Sequence, residues 1–596
     1  EVLRTVSTEI VFQPYEGVLR GVNGTLQARA GNSADQALLL AFLLNSAGYD
    51  ARIARAELSD ADAMRLLTTL NTPAHDESLD YLAEAAREEG LPSGSNPVTD
   101  PADTKVAREV AAATDRILGL LEAEGIGLTP VDVTQALLAK TRGYFWVQHR
   151  DGPSDRWQDA HPAFAGAAAP EIEPQEFYTD QMPDAYLHKL TVGAWLTQKL
   201  GSKVEDARIM SDITRPVANL HGKAIRFSNF PGGLSPERLD DLAGAVEDTR
   251  ILMPTLNGAT APGAQAFDLN GFRVDSFAAS GPATSLFSTL ADKLKGAASA
   301  VAEDENLVKL EAVWLQFTFT APDGTATTSR RYLIAPGTPF ESDQDRVWPL
   351  ITEHVYVVNT GYVPADYLAD RYLANLIGAN DVLKSLAHKL FFPEEGTPLP
   401  DVAPTDIGPL LQYRLMAANP AASGRALRVA PNLLGYRSGY RDAQTAFFGV
   451  DVVANATREF QISDGRVLAD VRASIRQGIW DTGVEKVPGL RINSGNRANA
   501  VEILSRADAQ DIDVHLISNP AALDALDLPP AAAHLARQEL ENDYVLIVPE
   551  TTPAGVAMSG WWRVRPDTGE TLGMTADGYG AELVEYLVDM IGIALG

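Results

Sequence analysis

Not one of the 596 residues is cysteine, and this limits the available folds more than any other feature of the chain. Without a thiol there is no disulfide framework, no zinc–thiolate or iron–sulfur site, no thiolate nucleophile and no thiol redox switch. Each folded unit must be held by its own apolar core, and covalent chemistry is left to Ser, Thr, Lys or a carboxylate. At roughly 150 residues per domain, the length gives about three to five such units. A hydrophobic content of 45% with 21% charged residues is ordinary for a folded chain, so disorder is not expected.

Charge narrows the partners. With 49 Lys+Arg against 79 Asp+Glu the formal charge is −30. No Lys/Arg-rich stretch interrupts it, so neither nucleic acid nor an anionic membrane surface is an expected partner. The apolar run from Gln36 to Tyr49 is 14 residues, and the run from Leu583 is broken by Glu585 and Asp589. Neither is long enough to span a bilayer. The chain starts at Glu1 rather than Met, which fits a processed, exported protein, periplasmic or extracellular, whose signal peptide or anchor has been removed. Its nine histidines are scattered, and no H-E-x-x-H, G-x-x-x-x-G-K-[ST], G-x-S-x-G, Rossmann or calcium-loop spacing occurs, so no metal or cofactor is expected. Turns such as Asp268 to Gly271 and Asp464-Gly465 lack the spacing of calcium loops.

Periodicity divides the chain into a multidomain α+β arrangement. Asn32 or Ser33 caps a helix carrying Leu38, Leu39, Phe42 and Leu43, which Gly48 stops, and the next segment, ARIARAEL, alternates as a strand. Residues 76–125 form two amphipathic helices inserted into a first domain over 1–165. A hairpin follows, with Tyr144, Trp146 and Gln148 on one face and a turn at Arg150 to Ser154. The Ala/Pro/Glu-rich stretch from Ala163 to Glu176 marks a linker, set at 166–185. Residues 186–345 form a β-rich, sandwich-like domain whose longest hairpin turns at Pro322-Asp323-Gly324, with helices at about 235–247 and 284–302. The next segment, 346–425, is mainly helical, with helices expected within 364–418. Residues 426–596 alternate strands and helices as a mixed α/β domain, ending in a helix from Gly580.

The residues QPYEGVLRGVNGTLQARAGNSADQALLLAFLLNSAGYDARIARAEL, with YFWV at 144–147 and WQDAHPAF at 157–164, resemble the core of bacterial transglutaminase-like domains. That core has the papain-like cysteine-peptidase architecture. The resemblance implies a helix with a nucleophilic cysteine at its N-terminus, then a strand with a histidine in an H-x-W-V pattern, then an aspartate before a proline. These three places fall on Ser33, Tyr144 and His161, all of which depart from the pattern. A serine hydroxyl is far harder to ionise than a thiol, and a phenol with an ordinary pKa near 10 is a poor base at neutral pH. The downstream segments MPDAYLHKLTV, AVWLQFTFTAPDGTATTSRRYL and GWWRVRPDTGETLGMTADGYGAELVEY resemble large exported bacterial proteins that carry such a domain.

The expected function is therefore a catalytically inactive transglutaminase-like protein that serves as a scaffold or binding module for other proteins. A subunit of a larger extracellular or envelope assembly fits equally well. The alternative is a serine-dependent acyl transferase or peptidase in which His161 acts as base to Ser33, oriented by Asp159 or Asp35. Against the alternative stand plain structural roles: Ser33 as a helix cap, Tyr144 as a core aromatic, His161 as a hydrogen-bonded histidine before Pro162. Adjacent tryptophans alternate across a strand, so one of Trp561 and Trp562 is expected to be exposed as a contact for a partner or a sugar. Asp577 to Gly580 is expected to cap the final helix or cradle an anion.

Overall fold

The computed structural model describes residues 1–71, 105–164, 168–179, 181–232, 244, 248–275, 308–360, 426–428, 432–440, 445–454, 457–485, 498–556, 558–579 and 581–587. Over these residues the architecture is mixed α+β, with several largely antiparallel sheets and helices packed on them. No helix among them is long and apolar enough to cross a membrane.

The helix Ser33–Ser46 begins where Asn32 Oδ1 accepts the Asp35 N–H at 2.9 Å, and it stops before Gly48, whose φ of +90° suits only glycine. It is apolar on most sides and is buried along nearly its whole length, as such a helix should be. The sheet beneath it runs in the order Gln158–Ala160, Gly143–Arg150, Asp50–Glu57, Glu176–Tyr178. Alternation along Gly143–Arg150 turns Phe145 and Val147 to the helix, against Ala34, Ala37, Leu40 and Leu44. Tyr144 and Trp146 face the other way, into a second core with Ala54, Ala56, Leu66 and Phe164. The stretch expected as a linker supplies the edge strand Glu176–Tyr178 of this same sheet.

The first expected insertion helix lies outside the described residues. The second, Lys105–Ala123, leaves the N-terminal core altogether. Its apolar positions Val110, Ala113, Ile117 and Leu121 form one stripe, which packs on Val471, Ile475, Ile479, Val501 and Leu504 from the far end of the chain. Ion pairs Glu122–Arg472 and Arg116–Asp508 flank the contact, and Val131–Asp132 then pairs with strand Arg466–Asp470. An amphipathic stripe shows that a helix needs a partner but not which one.

Two sheets enclose the largest core. One comprises Ile213–Pro216, Lys189–Leu200, Val308–Thr320 and Ala326–Ile334, with Lys203–Arg208 also paired to Lys189–Leu200. The turn at Pro322-Asp323-Gly324 joins its long hairpin as expected, with Gly324 at φ +83°. The other sheet carries Ala224–Pro231, Ile251–Leu256 and Glu353–Asn359, and continues through Asn432–Tyr440 and Thr445–Ala454 to Ala581–Leu587. The sandwich thus runs past residue 345 and draws strands from the segments expected as helical and as α/β. The helices expected at 235–247, apart from Gly244, at 284–302 and within 364–418 lie outside the described residues.

The last expected helix is instead a strand where it is described, Ala581–Leu587. Its apolar spacing suits either period, and the open edge of Thr445–Ala454 decides in favour of pairing. A further antiparallel sheet, Val514–Ile517, Val545–Pro549, Gly560–Val564 and Thr571–Thr575, is covered on both faces. Helices Val471–Val484 and Ala500–Ala509 lie on one side with Lys105–Ala123, and Pro530–Glu541 lies on the other.

Candidate functional site

Ser33 is the first residue of its helix, directly after the capping Asn32, and is 4% exposed. Its Oγ accepts the backbone N–H of Phe145 at 3.2 Å. Phe145 is the residue after Tyr144, so the helix N-terminus and this strand meet. The side chains do not. Strand alternation puts Tyr144 on the face of the sheet away from the Ser33–Ser46 helix, in the core with Trp146 and Phe164. Among the described residues, Ser33 makes no hydrogen bond to Tyr144 or His161.

The other two positions do come together. Tyr144 OH and His161 Nδ1 are 3.0 Å apart, and their rings stack at 5.8 Å with a 7° interplanar angle. Trp146 stacks on both rings, and Phe164 meets Tyr144 edge-on at 5.4 Å. Burial pushes the Tyr144 phenol well up, with Asp159 adding to it. Burial pushes His161 down, against the opposing pull of Asp159. The phenol therefore keeps its proton, and His161 Nδ1 is engaged with its hydroxyl rather than with Ser33.

Neither carboxylate considered as an orienter sits behind this histidine. Asp159 Oδ1 accepts Trp146 Nε1–H at 2.7 Å and Gln148 Nε2–H at 2.9 Å. Asp35 is wholly buried and accepts Tyr15 OH at 2.7 Å and the backbone N–H groups of Leu19, Arg20 and Gly21 at 3.1, 3.0 and 2.7 Å. It ties the approach segment to the central helix. Beside it, Arg20, also fully buried, donates to the Thr360 carbonyl at 3.0 Å, to the Ala30 carbonyl at 2.5 Å and to Gln13 Oε1. Nothing in the residue pattern marks this clasp beyond its glycines. Gly17 and Gly21 take φ near +64° and +63°, and a Cβ at Gly17 would lie 2.2 Å from the Tyr186 carbonyl oxygen.

Phe145, the partner of Ser33, is covered in turn. Tyr186 meets Phe145 edge-on at 5.4 Å, Tyr178 packs against Tyr186 at 6.1 Å, and Arg55 lies over both Phe145 and Tyr186 while pairing with Glu176 and Glu57.

Trp561 and Trp562 are both 1% exposed, which corrects the expectation of a surface contact. Their hairpin has the expected turn, but its sheet is covered on both faces. Trp562 enters the core of Lys105–Ala123, and Trp561 packs with Trp314, Tyr332 and Leu535. Asp577 does not cap a helix. It accepts the Tyr579 N–H at 3.1 Å and pairs with Arg437 in a turn between strands. Asp268 similarly accepts the Asn270 and Phe272 N–H groups at 2.9 Å within its own turn. No group of three or more possible metal ligands occurs among the described residues. No family model matches the chain, and neither the curated proteins nor the solved structures contain a match.

Proposed function

We propose that the N-terminal core is a transglutaminase-like domain that has lost acyl transfer, and that the exported chain acts as a scaffold or binding module within a larger extracellular or envelope assembly. The observation carrying this reading is the closed Tyr144–His161 pair. The second and third positions of the triad still touch, as they would in an active domain, yet they spend their hydrogen bond on each other while the Ser33 hydroxyl is held by the Phe145 amide. Keeping the fold without the reaction is physically reasonable, because the three neutral side chains pack or accept a hydrogen bond and leave no buried charge behind.

The serine-enzyme alternative needs His161 Nε2 or Nδ1 within hydrogen-bond reach of Ser33. A fluorophosphonate probe separates the two readings. The proposal expects no adduct on the intact full-length chain, and an adduct at Ser33 that disappears in Ser33→Ala would restore the enzyme. Native mass spectrometry of material from its own source tests the assembly half: stoichiometric protein partners are expected, and a monomer free of partners would count against it.

A further inference from the structure

Strand Thr445–Ala454 is paired to Ala581–Leu587 only as far as Val450, opposite Ala581. Beyond that point side chains complete the backbone of Val452. Glu485 Oε1 accepts its N–H at 2.9 Å, and Arg331 Nη2 donates to its carbonyl at 3.2 Å. Arg331 also holds Asp451, with Nε on Oδ2 at 2.5 Å and Nη2 on Oδ1 at 3.2 Å. Three separate layers meet here: the five-stranded sheet through Ala326–Ile334, the larger sheet through Thr445–Ala454, and the C-terminal helical layer through Val471–Val484, which Glu485 terminates.

The cluster is dry and its charges are uneven. The Arg331 and Asp451 side chains are 1% and 3% exposed and Glu485 is 1% exposed. One guanidinium faces two carboxyl groups, and it is already engaged with Asp451. Among the described residues, Glu485 Oε2 has no hydrogen-bond partner. An ionised carboxylate there would be desolvated, half satisfied and next to a second negative charge, whereas a neutral carboxylic acid avoids most of that cost. Burial and then Asp451 push Glu485 well up, and Asp481 on its own helix adds to this; the Val452 amide and Arg331 pull the other way. Of the other charges on this helix or on elements packed against it, Glu122 pairs with Arg472, Arg116 with Asp508 and Arg506 with Glu502, and Glu459 is buried on the neighbouring strand Thr457–Ser463. Arg437 pairs with Asp577 on the far side of the larger sheet's strand Asn432–Tyr440.

We infer that Glu485 is a pH latch, which in its neutral form docks the C-terminal helical layer onto the two central sheets and on ionisation at higher pH loosens that contact. The sign follows from linkage. A carboxyl whose pKa is higher in the folded than in the unfolded chain withdraws stability as pH rises from the unfolded value to the folded one.

Hydrogen exchange by mass spectrometry on the full-length chain, corrected for the intrinsic pH dependence of exchange, tests this across pH 5 to 9. Peptides covering 445–454 and 471–485 should lose protection as pH rises, by tenfold or more, while peptides of the Ser33–Ser46 helix should not. In Glu485→Gln the same peptides should stay protected throughout. Asp451→Asn gives an independent arm: it frees Arg331 to pair with an ionised Glu485, so the pH dependence should again vanish. Wild-type protection that does not change with pH in these peptides overturns the inference. So does a pH dependence that persists unchanged in either variant.

Discussion

Replacing Asp35 with alanine should damage the N-terminal core far more than removing the Ser33 hydroxyl. The carboxylate accepts four donors: the Tyr15 hydroxyl and the N–H groups of Leu19, Arg20 and Gly21. Gly21 is only partly buried, so water can reach it, whereas the other three donors lie in the interior. At about 1–3 kcal/mol for each buried donor left without a partner, and with water recovering part of the loss, the change costs ~3–6 kcal/mol. The nearby Arg20 guanidinium also loses the favourable field of this carboxylate. A chain of this size does not unfold in one step, so the readout should be local. Amide exchange over residues 13–46 should accelerate by ~10²–10⁴-fold in Asp35→Ala, since each 1.4 kcal/mol is a factor of ten. Ser33→Ala, which frees only the Phe145 amide, should cost ~1–2 kcal/mol and serves as the control. Exchange in Asp35→Ala no faster than in Ser33→Ala would refute the argument that Asp35 is a structural anchor, and would reopen a role for it in orienting a base.

Tyr144→Phe keeps the stacked ring but removes the hydroxyl held by His161, so it should cost ~1 kcal/mol, against ~3–5 kcal/mol for Tyr144→Ala; thermal unfolding of both variants distinguishes packing from hydrogen bonding. Trp561→Ala and Trp562→Ala should each cost ~3–5 kcal/mol by the same measurement, and a near-neutral change at either would mean that its face of the sheet is open after all. Acid should also destabilise the chain. Burial pushes His188 down to about 4 and His354 down to about 3. Their neutral forms are favoured in the fold, so stability is full above the ordinary histidine range and falls as pH drops through it towards those values. At His188 alone this amounts to ~3 kcal/mol, and His188→Gln should flatten that part of a melting-temperature profile between pH 7 and 4.

Much of the fold is legible wherever a local signal settles a local structure. The hairpin Val308–Ile334 follows from alternation and a Pro-Asp-Gly turn, and the helix Ser33–Ser46 from its cap, its apolar run and its terminal glycine. What escapes the sequence is who packs against whom. Helix Lys105–Ala123 reads as an insertion into the first domain because its stripe says nothing of Ile475 and Val501, some 370 residues away in sequence. Ala581–Leu587 reads as a helix because only the edge of Thr445–Ala454 makes it a strand. Trp561 and Trp562 read as half exposed because alternation fixes their opposite faces and not what covers each one. At the site, the departure of Ser33, Tyr144 and His161 from the resembled pattern is plain from the residues. The pairing of Tyr144 with His161 and the diversion of Asp35 to three backbone amides depend on distances that only the assembled core supplies.

The central claim, that the triad positions have become part of the packing, meets its most direct test at Ser33. Because the chain contains no cysteine, Ser33→Cys introduces a single thiol at the place where the resembled family carries its nucleophile. Its alkylation by iodoacetamide can be followed by intact mass at neutral pH. The account predicts a buried, unactivated thiol that reacts no faster than the surrounding core opens, with full labelling only in denaturant. Rapid labelling of the folded chain, with a pH profile showing a thiol pKa well below the ordinary 8.5, would reveal an open and activating cleft and contradict it.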